Sequence, residues 1–175
     1  MNRRGLGVEQ TFVYVVAAIT FALIMIFGYR TIVEFQHTGQ QAQLVQFKNT
    51  LENSIKSIYS NYGSVQQENF VVPQGYSQLC LVDMDYEITA ERLQQLCRYD
   101  QIACTVWQQA AQARQQGKSG FQSVDENVFL QPVSEVPIKV FEFHLENGQG
   151  FLCQEIVGSK ISLRLEGKGS YTQIG

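Results

Sequence analysis

Apolar residues dominate the chain from Thr11 to Tyr29, TFVYVVAAITFALIMIFGY, and no charge interrupts them. At about 1.5 Å per residue the run spans about 28 Å as a helix, close to the roughly 30 Å of a bilayer's hydrocarbon. Ten of its residues are Leu, Ile, Val or Phe. Each favours insertion by about 0.3–0.6 kcal/mol. The pattern predicts a membrane helix over residues 11–29. It is longer than a secretory signal's core of about 7–15 residues and ends without an Ala-x-Ala site, so a retained anchor is expected. Past it the spacing changes. Leu44, Phe47, Leu51, Ile55, Ile58 and Tyr62 recur at intervals of three and four between Gln, Lys, Asn, Glu and Ser, which predicts an amphipathic helix over residues 30–63 continuing the anchor. Either the downstream domain or neighbouring copies must cover that stripe. His37-Thr38-Gly39-Gln40 is the expected kink, and Gly63 the expected helix stop.

The remaining residues, 64–175, read as one small antiparallel β domain with a helical insertion over about 89–115. Asn69 to Gly75 reads as an extended linker, and Ser77 to Asp83 as a strand with Leu79 and Leu81 on one face and Cys80 and Val82 on the other. Thr89 is a candidate N-cap, followed by a helical face of Leu93, Leu96, Cys97, Cys104, Trp107 and Ala111 that Asp100 interrupts. Val128 to Leu130 forms a strand stopped by Pro132. Ile138 to Leu145 and Gly150 to Val157 flank Asn147-Gly148, a strong type I′ hairpin signal, and Gly158-Ser159 turns the chain into Ile161 to Glu166. Counting through both turns places Phe141, Phe143, Leu145, Leu152, Ile156, Ile161, Leu163 and Leu165 on one face of a meander. Glu142, His144, Cys153, Glu155, Ser162 and Arg164 fall on the other. The fold class is therefore α+β, a long N-terminal helix packed on a small antiparallel sheet domain.

Charge and cysteine content narrow the setting. Arg3 and Arg4 before the apolar run predict that the short basic segment, residues 1–10, stays in the cytoplasm and that the domain lies outside. A net charge of −3 without a basic cluster gives no field for nucleic acid. Cys80, Cys97, Cys104 and Cys153 all follow the anchor, lack a CxxC knuckle and allow three pairings. A disulfide framework is favoured over zinc. Strand parity makes Cys80–Cys153 compatible with neighbouring strands and leaves Cys97–Cys104. In one unbroken helix those two α-carbons lie about 10.5 Å apart, so the second pair requires a break near Asp100.

Arg3-Arg4-Gly5, Glu9, the run Thr11 to Tyr29 and the stripe Leu44 to Tyr62 together resemble type IV pilins and their archaeal relatives. The likeness covers the first 60 or so residues by pattern and the rest by architecture. The ending SKISLRLEGKGSYTQI also resembles that of single-pass surface proteins of small-genome archaea. The resemblance implies a prepilin-type peptidase cutting between Gly5 and Leu6. It also implies a Glu that neutralises a neighbour's amino terminus, and assembly through the helix face bearing Phe12, Val16, Leu23 and Phe27. Here cleavage after Gly5 makes Glu9 the fourth mature residue, where the family has it fifth; cleavage after Arg4 restores the spacing but puts Arg where the family has Gly. Read without the resemblance, Glu9 is a carboxylate that stabilises a helix N-terminus.

Nothing in the chain points to catalysis or a cofactor. It has no phosphate loop, HExxH or GxSxG. Asp83-x-Asp85 reads as a strand end, Asp125-Glu126-Asn127 as a turn, Trp107 as core, and His144 as a residue on the solvent-side or second-layer face of the sheet. No metal site is expected. Two functional classes follow: a self-associating, pilin-like structural subunit of a filament or membrane assembly, partnered by the bilayer and by copies or related subunits, or an unpolymerised membrane-anchored extracellular binding module such as an adhesin or accessory subunit.

Overall fold

In the computed structural model the described residues are 6–175, with the side chains of 6–10 and 32–38 outside that set. The fold is α+β. Helix α1 covers Leu6–Tyr59, and helical conformation continues through Gly28 and Gly39. The chain divides into two compact units, one ending at Ala42 and the other spanning Gln43–Gly175.

The second unit is built on seven strands. β1 (Val65–Val71), β6 (Lys160–Gly167), β7 (Thr172–Ile174) and β4 (Phe143–Leu145) form one sheet in the order β1-β6-β7-β4. β3 (Val128–Gln131), β2 (Gln78–Val82) and β5 (Phe151–Glu155) form the other, in the order β3-β2-β5. All pairings are antiparallel except β4 with β7. Leu44, Phe47, Leu51, Ile55 and Ile58 of α1 are buried in one cluster with Phe70, Ile161, Leu163, Leu165, Phe143 and Ile174 of the first sheet. Leu79, Leu81 and Leu130 of the second sheet join the same cluster. The domain thus covers the helix stripe itself. The opposite face of the second sheet carries Cys80, Val82, Phe129 and Phe151, and buries them against α2 (Ala90–Tyr99) and α3 (Gln101–Gln115) through Leu96, Cys104, Trp107 and Ala110. Strand β2 is apolar on both faces because both are covered.

Several expectations need correction. The helix ends at Tyr59, so Tyr62 is not part of the stripe and is 84% exposed. Asn61 N–H turns back to the Ile58 carbonyl at 3.0 Å, and Gly63, at φ +78°, donates to the Gly167 carbonyl at 2.8 Å. That bond leads the chain straight into β1, which begins before the expected linker and takes in its first residues, Asn69 to Val71. Its polar sequence VQQENFV reflects a mostly exposed strand at the sheet edge. On α3 Ala103 and Ala110 are the buried alanines, and Ala111, expected on that face, is only partly covered. The expected Asn-Gly hairpin does not form. Asn147 takes no positive φ, whereas Gly148 and Gly150 do. The Asn147 side chain instead accepts from Gln149 N at 3.0 Å and donates to the Phe151 carbonyl at 2.8 Å. Glu146 N–H donates to the Ile174 carbonyl, so β4 is committed to β7 while β5 joins the other sheet. Gly158 and Ser159 do form a two-residue turn with φ +61° and +59°, yet the strands on either side of it enter different sheets. The meander is therefore replaced by a chain that crosses twice between sheets. The face assignment survives: Phe143, Leu145, Ile161, Leu163 and Leu165 are buried in one cluster, with Phe141, Leu152 and Ile156 packed partly against it.

Candidate functional site

The first candidate is the apolar segment of α1. Thr11–Thr31 is long and apolar enough to cross a membrane or to act as a signal sequence, and none of it is buried within the protein. Phe12, Val16, Leu23 and Phe27 are all exposed, Phe12 by 69% and Val16 by 42%. The hydroxyls of Thr20 and Thr31 are satisfied by the helix backbone. Thr20 Oγ1 donates to the Val16 and Ala17 carbonyls at 3.0 and 2.9 Å, and Thr31 Oγ1 to the Phe27 carbonyl at 2.9 Å. From Thr11 to Tyr29 the segment carries no charge and exposes mainly aliphatic and aromatic side chains, as a bilayer demands, with Arg30 directly after it. Leu6 and Glu9 belong to the helix with their side chains outside the described set. Gly5, the other half of the expected cleavage site, lies outside the described residues.

The cysteines pair as Cys80–Cys153 and Cys97–Cys104. The first links β2 to β5 at directly opposed positions. The second is made possible by a break between two helices. Asp100 closes α2 and caps α3, its Oδ1 accepting from Ile102 N and Ala103 N at 2.9 Å each. This brings the two α-carbons to 4.9 Å. Thr89 caps α2 by accepting from Arg92 N.

A polar constellation joins Asp83, Asp85, Glu142 and His144. Asp83, at the end of β2, has a side chain only 2% exposed. Its Oδ2 lies 2.8 Å from His144 Nδ1 on β4, and its Oδ1 accepts from Asp85 N at 3.1 Å. Its carbonyl accepts from the buried Trp107 indole N–H at 3.0 Å. The Asp85 carboxylate accepts from Gly120 N at 2.6 Å, Ser119 Oγ at 3.1 Å and Phe121 N at 3.3 Å, which holds the loop after α3. Arg114 Nη1 donates to the Asp85 carbonyl. The ring of Tyr171 meets His144 edge-on at 4.8 Å.

Hydrogen bonding to Asp83 raises the His144 pKa above its ordinary value against the opposing effect of burial, with Glu142 and Asp85 adding to the rise. Burial raises the Glu142 pKa, and neighbouring Asp85 raises it further. This arrangement ties the end of β2 in one sheet to β4 in the other through the Asp83–His144 contact, which is an ion pair when His144 is protonated. No hydroxyl or thiol nucleophile is hydrogen-bonded to His144 among the described residues, and no group of three or more His, Cys, Asp and Glu there is arranged to hold a metal ion. The sequence placed His144 on the correct face. It gave no sign of Asp83 as its partner, because 61 residues separate them and only the crossing of the sheets brings them together.

Set against known proteins, the chain matches no family model, no curated protein and no solved structure.

Proposed function

We propose that the protein is a non-enzymatic, pilin-like structural subunit that self-associates through the apolar segment of its N-terminal helix in a cell-surface filament or membrane assembly. One observation carries this reading: the apolar helix Thr11–Thr31, uncharged from Thr11 to Tyr29 and flanked by Arg30, has none of its surface buried by the protein itself. In a bilayer that surface meets lipid, neighbouring helices of its own kind, or both. In this reading residues 1–10 lie in the cytoplasm, the disulfide-bonded domain lies outside, and a prepilin-type peptidase acts between Gly5 and Leu6. Two disulfides within one small domain favour an oxidising compartment for it. Phe12, Val16, Leu23 and Phe27 are the proposed contact residues, with Glu9 stabilising assembly from the helix N-terminal end.

A second reading, an unpolymerised membrane-anchored binding module, is favoured by a separate observation. The stripe Leu44 to Ile58 is consumed inside the protein's own domain and is not free to meet neighbours. Replacing residues 11–29 with an unrelated membrane helix separates the two. A structural subunit loses assembly on the exchange, whereas an anchored module keeps its activity.

A further inference from the structure

Beside the second sheet lies an open cleft whose walls are of two kinds. Phe151, Leu152 and Cys153 of β5 form one side, Gln95, Arg98 and Tyr99 of α2 the other, and Asn147 and Gln149 close one end. Strand β5 is an edge, paired only with β2. Its register fixes which backbone groups are spent. Asp83 N–H donates to the Gly150 carbonyl and Ile156 N–H to the Ser77 carbonyl, so Leu152 and Gln154 point their backbone bonds at β2. The N–H and C=O groups of Phe151, Cys153 and Glu155 therefore point outward. Asn147 Nδ2 takes the Phe151 carbonyl. Those of Cys153 and Glu155 have no protein partner among the described residues. Such a row is a template for another strand.

We propose that this cleft takes an extended peptide segment that adds to β5 as a further strand and carries an acidic side chain to Arg98. The outward groups of Cys153 and Glu155 lie two residues apart, the repeat with which one face of a strand offers its backbone. The opposite wall supplies the side-chain contacts. Arg98 is the one charged residue lining the cleft and has no ion pair among the described residues, so it selects a carboxylate. Tyr99 is 53% exposed and is packed on its inner side by Phe151, with ring centroids 6.3 Å apart, which fixes it as a platform for an apolar neighbour of that acid. Gln95 and Gln149 carry amides with no intramolecular bond among the described residues. The site lies wholly within the Gln43–Gly175 unit and stands whether or not the N-terminal helix assembles.

The test pans a phage-displayed library of nine-residue peptides against the full chain in detergent micelles, and then titrates the enriched peptide, synthesised, against three proteins. The proposal expects enriched sequences with alternating β-branched or aromatic residues and an Asp or Glu. Arg98→Glu weakens binding about tenfold or more, as loss of a charge-assisted bond does. Glu155→Pro removes an outward N–H without touching the β2 ladder and also weakens binding. N-methylation of alternate peptide nitrogens abolishes it. Recovery of no consensus, or of peptides that bind both variants as well as the native chain, overturns the proposal. Saturable binding of an oligosaccharide in the cleft, with no peptide enriched, overturns it equally.

Discussion

Thr172 Oγ1 donates a 2.8 Å hydrogen bond to the carbonyl of Ile55, joining the last strand to the last turn of α1 across 117 residues of sequence. Thr172 is fully buried, as is Ile55. The contact explains how a short, polar C-terminal strand holds the helix in its place over the first sheet. Replacing the hydroxyl by a methyl group, Thr172→Val, keeps the volume and loses the bond. The expected cost is about 1 kcal/mol, read as a lower denaturant midpoint with an unchanged slope.

Gly167 makes the same junction tight from the other side. A Cβ there would lie 2.2 Å from the Ile58 carbonyl oxygen and 2.3 Å from that of Asn61. Both are backbone atoms with little freedom to retreat. Gly167→Ala should therefore destabilise the domain by about 3 kcal/mol, measured by thermal unfolding of the same detergent preparation as the native chain.

The two disulfides should differ in weight. Cys80–Cys153 closes 73 residues and Cys97–Cys104 only 7. By the chain-entropy account the longer closure stabilises by about 4 kcal/mol and the shorter by about 2 kcal/mol. Double Cys→Ala variants of each pair, compared by denaturant midpoint, should rank in that order.

The His144–Asp83 pair predicts an unusual pH dependence. His144 has its folded pKa raised above the unfolded value of 6.5. Its contribution is then complete below about pH 6.5 and is lost as pH rises through the folded value. Glu142, raised from 4.5 by burial and Asp85, has the same sign in a more acidic window, contributing below that value and losing the contribution as pH rises. The native protein should lose melting temperature above about pH 6.5, and His144→Asn should flatten that slope while lowering stability in acid.

Side-chain alternation was the most legible part of the sequence. Period-two counting placed Phe143, Leu145, Ile161, Leu163 and Leu165 on the core face and Cys153 opposite it, which made a bridge to Cys80 compatible with neighbouring strands, and that is the pair found. Asp100 was legible as a helix break because an acidic residue disrupted an apolar face. Strand partners were not legible. Asn147-Gly148 signals a sharp turn, but whether the strands leaving it pair with each other depends on competing edges, and β7 offers β4 a better one through Ile174. β1 and β7 escaped notice because both are short or polar and owe their strand state to β6. The Asp83–His144 tie escaped for the same reason, as it exists only because the chain crosses between sheets. The cleft beside β5 follows from that crossing as well.

Self-association through the N-terminal helix is tested most directly by photo-crosslinking in native membranes. A photoreactive amino acid at Val16 or Leu23 is activated by light and the products are resolved by mass. The account predicts adducts between copies of this chain, or between it and related subunits, from both positions, and their loss when Phe12 and Phe27 are changed to Ala. Lipid adducts alone, with the protein remaining monomeric at both positions, would contradict it.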